Sequence, residues 1–301
     1  METTITADLS KTHQLVGELF KWPTSAEEWE TYKLSQEQID QFHELGYVAN
    51  IQLLTAEQLD FLGSELAEIM DPNHPQHHLF YEFWSNESGD PDKVLFHALG
   101  AWRITQGFHD ILWNPSFVMK AAQLLGGGVR FWHDQLFCKP AKHGGVVAWH
   151  QDYSYWTRTS PMQHLTCWVG IDDATPENGC LQYVERSHEW GLIPKPDLAG
   201  EMNGLFEFLT EEQKADFKPV HIPLKRGFCS FHHPLLVHGS EANDSEMSRR
   251  AFVLNVFKDG TLSETDEVLL KGVPVIQKGE KMEGQFFPLL TDDLVLEALG
   301  E

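Results

Sequence analysis

The stretch "AWHQDYSYW" (Ala148 to Trp156) places an imidazole, His150, two positions before a carboxylate, Asp152, in a run of aromatics. Both side chains are strong ligands for a divalent metal. On a strand, residues i and i+2 point to the same face, roughly 6–7 Å apart. One ion can bridge such a pair. With one further histidine the set becomes the facial triad of non-heme iron(II) oxygenases, which leaves positions open for a co-substrate and dioxygen. The pair alone is a weak signal, and a third ligand has to be argued separately.

The chain has 16 histidines. The stretch that argues best is "FCSFHHPLLVHGSEANDSEMSRRAF", Phe228 to Phe252. His238 follows the apolar run Pro234 to Val237 and precedes Gly239, which predicts the end of a buried strand. An imidazole there is either a core residue bonded to a carbonyl or a ligand. Arg249 adds to the case. It opens the next predicted strand, "RRAFVLNVF", across a polar turn. A guanidinium entering an apolar interior needs a carboxylate, because a buried unpaired charge is very costly. A bound dicarboxylate would supply one in bidentate fashion. Ser240 could donate to the same group. Arg250 alternates to the other face, toward solvent.

These residues need a scaffold. In Leu34 to Met70 the spacing of Leu34, Ile39, Phe42 and Leu45 predicts a helix capped by Ser35 and ended by Gly46. "YVANIQL" reads as a short strand. Thr55 caps a second helix with Leu59, Leu62, Leu66 and Ile69 on its apolar face. Residues 71–92, rich in Pro, Asn, Asp and His, read as a loop whose aromatics suggest a lid. "SFVMKAAQLLG" is a further helix. After Gly128 come short β-branched and aromatic runs separated by turn residues, the pattern of a β-sandwich or barrel. The expected fold is α+β, mainly β: a double-stranded β-helix (jelly-roll, cupin-like) barrel with N-terminal supporting helices. One domain spans 1–301. Residues 1–33 form an extension, 34–127 a mostly helical support, 128–258 the jelly-roll core and 259–301 a C-terminal segment. An insertion at 191–216 is expected over one mouth.

Composition narrows the partners. Forty-five acidic against 22 basic residues give a formal charge of -23. That field repels nucleic acid and anionic membrane, and no basic stripe overrides it. No apolar run approaches the roughly 20 residues of a membrane span. No secretory leader is visible, and a cytoplasmic monomer or homodimer acting on a small molecule is expected. The four cysteines are widely spaced among apolar residues and read as buried thiols.

Taken together, several motifs resemble the phytanoyl-CoA dioxygenase family of iron(II)/2-oxoglutarate oxygenases. The likeness runs from about Leu34 to Phe257. It is carried by "LSQEQIDQFHELGYV", "WHQD", "WVGIDDATPENGCLQYVERSH" and "HHPLLVHGSEAN…SRR". Glu185-Arg186 departs from the family's usual Gly-Ser-His segment. The resemblance implies His150, Asp152 and His238 as iron ligands and catalytic centre. It implies Arg249, helped by Ser240, on the distal carboxylate of 2-oxoglutarate. Trp168 would pack beside that co-substrate, Gln135 would line its pocket and Lys93 would reach it. The implied cofactors are Fe(II), 2-oxoglutarate and O2, and the implied activity is hydroxylation with release of succinate and CO2. Asp152 argues against halogenation, since related halogenases carry a small residue there.

Two other readings remain open on the sequence. One is a cupin-like binding protein without turnover. The other is a zinc hydrolase on the same three ligands. His232 or His233 is a candidate partner of a ligand, and His133 and His143 are candidates for the pocket, with a plain structural role the leading reading for both. His74, His77 and His78 are expected to be solvated.

Overall fold

The computed structural model describes residues 8–195, 197–199 and 201–300. Residues 1–7 of the expected extension, positions 196 and 200 of the expected insertion, and residue 301 lie outside the described residues. Among the described residues thirteen strands form three antiparallel sheets. They are β1 (Tyr47–Gln52), β2 (Glu82–Trp84), β3 (Phe96–Leu99), β4 (Val129–Lys139), β5 (Val147–His150), β6 (Thr159–Ser160), β7 (His164–Gly170), β8 (Leu181–Val184), β9 (Pro219–Ile222), β10 (Phe228–His232), β11 (His238–Ser240), β12 (Arg249–Lys258) and β13 (Leu262–Ser263). The large sheet runs β1-β10-β7-β12-β4-β3-β2 and the small one β5-β11-β8-β9, with β13-β6 as a separate ribbon.

The helices are α1 (Ala26–Glu30), α2 (Gln36–Leu45), α3 (Ala56–Ile69), α4 (Gln106–Asp110), α5 (Pro115–Leu125), α6 (Tyr153–Trp156), α7 (Glu211–Asp216) and α8 (Asp293–Leu299). Local chemistry sets the ends of α2 and α3. Ser35 and Thr55 each accept from the backbone N–H three residues on, while Gln38 and Gln58 reach back to the cap. Gly46 closes α2 at φ 87°, a left-handed position that suits glycine. α3 buries Leu59, Leu62, Leu66 and Ile69, as their spacing predicts.

α5 crosses β4, β7 and β12. Its buried Phe117, Val118 and Ala121 join Phe131, Phe231, Phe252 and Leu254 in the main core. Burying each such large side chain contributes about 1.5–3 kcal/mol. A second cluster lies between the sheets. There Phe137, Trp168 and Val253 of the large sheet meet Val147, Leu181, Tyr183 and Ile222 of the small one. The cavity described below opens in that same interlayer.

The 34–127 segment is less purely helical than its spacing suggests. It supplies β1, β2 and β3 to the large sheet, and residues 71–92 are not all loop. β2 and β3 hold only three and four residues. So short a run cannot display a period of two, and β3 is buried along its whole length. The 191–216 insertion is pinned to the small sheet. Ala148 and Trp149 of β5 donate to the carbonyls of Leu198 and Met202.

Candidate metal centre and cavity

His150 ends β5, and His238 begins β11 directly opposite it in register. The expected geometry differs on two points. Asp152 lies beyond the strand, in the turn into α6, at φ -56° and ψ -44°. His238 starts a strand rather than ending one, because Pro234 to Val237 form the turn that brings β10 round to β11. The turn at Asp152 swings its carboxylate closer to His150 than strand geometry would. His150 Nε2 lies 3.5 Å and His238 Nε2 3.6 Å from Asp152 Oδ1. The three ligand atoms lie within 4.8 Å of one another, and all three residues are buried.

Each ligand is oriented by a bond on its far side. His150 Nδ1 lies 2.8 Å from the Ala148 carbonyl and His238 Nδ1 2.9 Å from that of Leu236. A carbonyl only accepts, so both Nδ1 atoms carry the proton and both Nε2 lone pairs face Asp152. His238 is therefore bonded to a carbonyl and aimed as a ligand at once. Asp152 Oδ2 accepts from Thr166 Oγ1 at 2.6 Å and from His232 Nε2 at 3.0 Å. His232 Nδ1 in turn lies 3.0 Å from the Tyr183 hydroxyl. Oδ1 is left for an ion.

The electrostatics favour the ionised Asp152 and the neutral His238. Burial by itself would raise the Asp152 carboxyl, but the His238 imidazole beside it and the bond from His232 hold it well below the usual range. Burial, then the His150 charge, pushes the His238 imidazole well below its ordinary value. Two neutral imidazoles and one carboxylate suit a divalent first-row metal.

A cavity of about 460 Å³ opens from these ligands. Arg249 in its lining is buried, 2% exposed, with burial lowering its pKa to about 10, and its Nε has no hydrogen-bond partner among the described residues. It lies 5.5 Å from the Trp168 ring. Its neighbour Arg250 turns outward, half-buried, and takes Asp172 at 2.7 Å. An unpartnered buried guanidinium demands an anion. Ser240, Trp168 and Gln135 line the same cavity. Trp168 and Gln135 flank Val253 in register on either side of β12. Lys93 is not brought there: it is exposed on the loop before β3 and does not line the cavity.

The lining also includes Trp132, His133, Tyr155, Trp156, Leu269 and Leu270, among others. The buried Trp132 Nε1 has no partner. His133 lines the cavity, whereas His143 is exposed and His77 packs on Phe83 at 4.1 Å rather than standing in solvent.

Several residues near the site escape a sequence reading. His97 pairs with Glu87 at 2.8 Å, stacks on Phe137 and lies 3.3 Å from Gln135. Its one signal is a lone histidine in the apolar run "VLFHALG". Lys139 sits opposite Arg249 in register and is fully buried. A lysine closing the predicted strand "VRFWHDQLFCK" was the clue there. Thr166 and Tyr183 carry no signal at all, because strand residues of those types are common in any core.

Comparison with known proteins fits this geometry. The chain is 35% identical over 145 residues to a phytanoyl-CoA dioxygenase domain-containing protein 1 homolog of Caenorhabditis briggsae, covering 43% of this chain and 49% of that protein. The chain thus spans about half the length of that relative. It is 26% identical over 288 residues to the Dictyostelium discoideum homolog, covering 80% of this chain and 98% of that one. The fold matches the epimerase SnoN, solved in complex with Fe3+, alpha ketoglutarate and nogalamycin RO, at 22% identity and a TM-score of 0.68, over 85% of this chain and 98% of that one. The family model described as "Phytanoyl-CoA dioxygenase (PhyH)" matches residues 42–251, and on that span the chain belongs to the phytanoyl-CoA dioxygenase family.

Proposed function

We propose that this chain is an iron(II)- and 2-oxoglutarate-dependent hydroxylase of a small organic molecule. The observation that carries the reading is one juxtaposition. Two Nε2 lone pairs and a carboxylate converge within 4.8 Å beside a buried arginine that lacks an acid. A ligand-storing barrel or a zinc hydrolase has no need of that arginine. We read residues 1–301 as one domain and the two facing sheets as a double-stranded β-helix.

In this reading His150, Asp152 and His238 hold the iron. Arg249 and Ser240 take the distal carboxylate of 2-oxoglutarate, with Trp168 and Gln135 along its flank. Iron(II) with 2-oxoglutarate and dioxygen converts the co-substrate to succinate and carbon dioxide and supplies one oxygen atom to the substrate. The chain's share is orientation. Asp152 is held by Oδ2 so that only Oδ1 points inward, and both imidazoles are fixed in one tautomer. Trp132, Tyr155 and Trp156 form an apolar wall for the substrate. The cavity volume falls in the range of ordinary small-molecule sites, which run to roughly 300–1,000 Å³. A whole CoA thioester, bulky and anionic, suits neither that space nor a chain of charge -23.

The test is succinate release and oxygen uptake with iron(II), 2-oxoglutarate and a panel of small metabolites. Dependence on all three, lost in Asp152→Ala and His238→Ala, is expected. Turnover that persists in either variant, or that ignores oxygen, overturns the reading.

A further inference from the structure

Two buried basic side chains lie side by side on adjacent strands, Arg249 lining the cavity and Lys139 behind it. Arg249 and Lys139 face each other across β12 and β4. Lys139 is 0% exposed. The next cations along, Lys142 and Arg250, take Glu246 and Asp172, but neither Lys139 nor Arg249 has an ion-pair partner among the described residues. Like charges set opposite each other in a sheet disfavour the fold. The structure nonetheless builds a cradle around the lysine. Its Nζ donates to Ser240 Oγ at 2.7 Å, to the Ser240 carbonyl at 3.2 Å and to the Glu241 carbonyl. Three acceptors match the three N–H bonds of an ammonium.

The surrounding backbone is shaped to this contact. Gly179, at φ 78°, leaves the room: a Cβ there would lie 2.4 Å from the Glu241 carbonyl and 3.2 Å from Lys139 Nζ. Asn243 Nδ2 donates to the Lys139 carbonyl at 3.2 Å, tying the strand end to the turn after Ser240. Lys139 itself does not line the cavity, whereas Ser240 and Arg249 do. Burial, then the Arg249 charge, lowers the Lys139 pKa well below its ordinary value. Two carbonyls and a hydroxyl oxygen gathered on Nζ nonetheless favour the ammonium, which has donors only, so Ser240 Oγ accepts from it. The hydroxyl proton of Ser240 is then directed elsewhere, and the cavity lies on its open side.

From this geometry we infer that Lys139 is a positioning residue for the co-substrate. It acts from behind the cavity wall, turning the Ser240 hydroxyl proton toward the distal carboxylate and adding a second fixed positive charge beside Arg249. The pocket is thereby selective for a keto-diacid over a keto-monoacid. The inference rests on the oxygenase reading above.

Binding, not turnover, tests it. The full chain is loaded with cobalt(II) without oxygen and titrated with 2-oxoglutarate and with 2-oxobutyrate, which lacks the distal carboxylate. Lys139→Met is expected to weaken 2-oxoglutarate binding about tenfold or more, to leave 2-oxobutyrate binding unmoved and to keep the cobalt affinity. Lys139→Gln, which keeps donors but not charge, falls between. Ser240→Ala weakens 2-oxoglutarate selectively, and Lys139→Met in that background costs less than it does alone. Binding by Lys139→Met within about twofold of wild type overturns the inference, as does full additivity with Ser240→Ala. Should neither Lys139 variant fold, equal effects of Ser240→Ala on both acids overturn it as well. Wild-type protein that binds no 2-oxoglutarate overturns the oxygenase reading itself, and this inference with it.

Discussion

His232 Nε2 lies 3.0 Å from Asp152 Oδ2, the carboxylate oxygen that does not face the His150 and His238 Nε2 atoms. With Thr166 Oγ1 at 2.6 Å it locks the carboxylate into a one-oxygen presentation. Removing such an outer partner commonly costs about 10- to 100-fold in metal affinity. His232→Phe is expected to weaken cobalt(II) or iron(II) binding by that order while the three ligands stay in place. Anaerobic metal titration checks this. An unchanged affinity shows that Thr166 alone suffices to orient Asp152.

Arg249 and Lys93 make opposite predictions. Arg249 is buried in the cavity lining with an unpartnered Nε, so Arg249→Gln leaves a bound carboxylate without its cation. Losing one member of a buried charge pair costs roughly 2–5 kcal/mol. The KM for 2-oxoglutarate is expected to rise by more than about tenfold, with little change in metal affinity. Lys93 is exposed and outside the cavity. Lys93→Ala is expected to change that KM by less than about twofold, the usual scale of a surface substitution. A large effect of Lys93→Ala means that its loop closes over the site on ligand binding.

The main core offers a stability prediction. Phe252 is fully buried on β12 and packs edge-on against Phe108 at 5.8 Å. Phe252→Ala is expected to cost about 3–5 kcal/mol, as large-to-small core changes do. A denaturant titration measures it. A cost below about 1 kcal/mol means that the layer between α4 and the large sheet collapses to refill the space.

Legibility followed how local each signal is. The caps of α2 and α3, Gly46 and the apolar face of α3 depend on neighbours within four residues, and the sequence spelled them out. His150, Asp152, His238 and Arg249 were readable because each residue type is expensive to bury without a purpose. The path between them was not. The αR turn at Asp152 and the turn through Pro234 to Val237 are settled by how β5 and β11 pair, which is a long-range matter. β2 and β3 were hidden because they are short and are held by long-range pairing, β3 on β4 and β2 on β3. The outer partners Thr166 and Tyr183 become visible only once the strands are laid side by side.

The last prediction concerns acid. His164 is buried beneath Trp156 and Phe257, and burial, then the His133 charge, lowers its pKa to about 3 from the usual 6.5. Its Nε2 lies 3.0 Å from Thr159 Oγ1, whose own proton goes to the Trp156 carbonyl, so the neutral ring donates there. The unfolded chain protonates this histidine near pH 6.5, and the folded chain does so only near pH 3. Between those values the unfolded state binds more protons, so stability rises with pH through the window. The contribution is complete above about pH 6.5 and is lost progressively as pH falls toward about 3, at roughly 1.4 kcal/mol per pH unit. His164→Phe keeps a ring of similar size and removes the titration. Urea midpoints measured between pH 7 and pH 4 should therefore fall more steeply with acid for wild type than for the variant. Parallel curves would mean that water reaches the ring and that His164 titrates in the folded state much as it does in the unfolded chain.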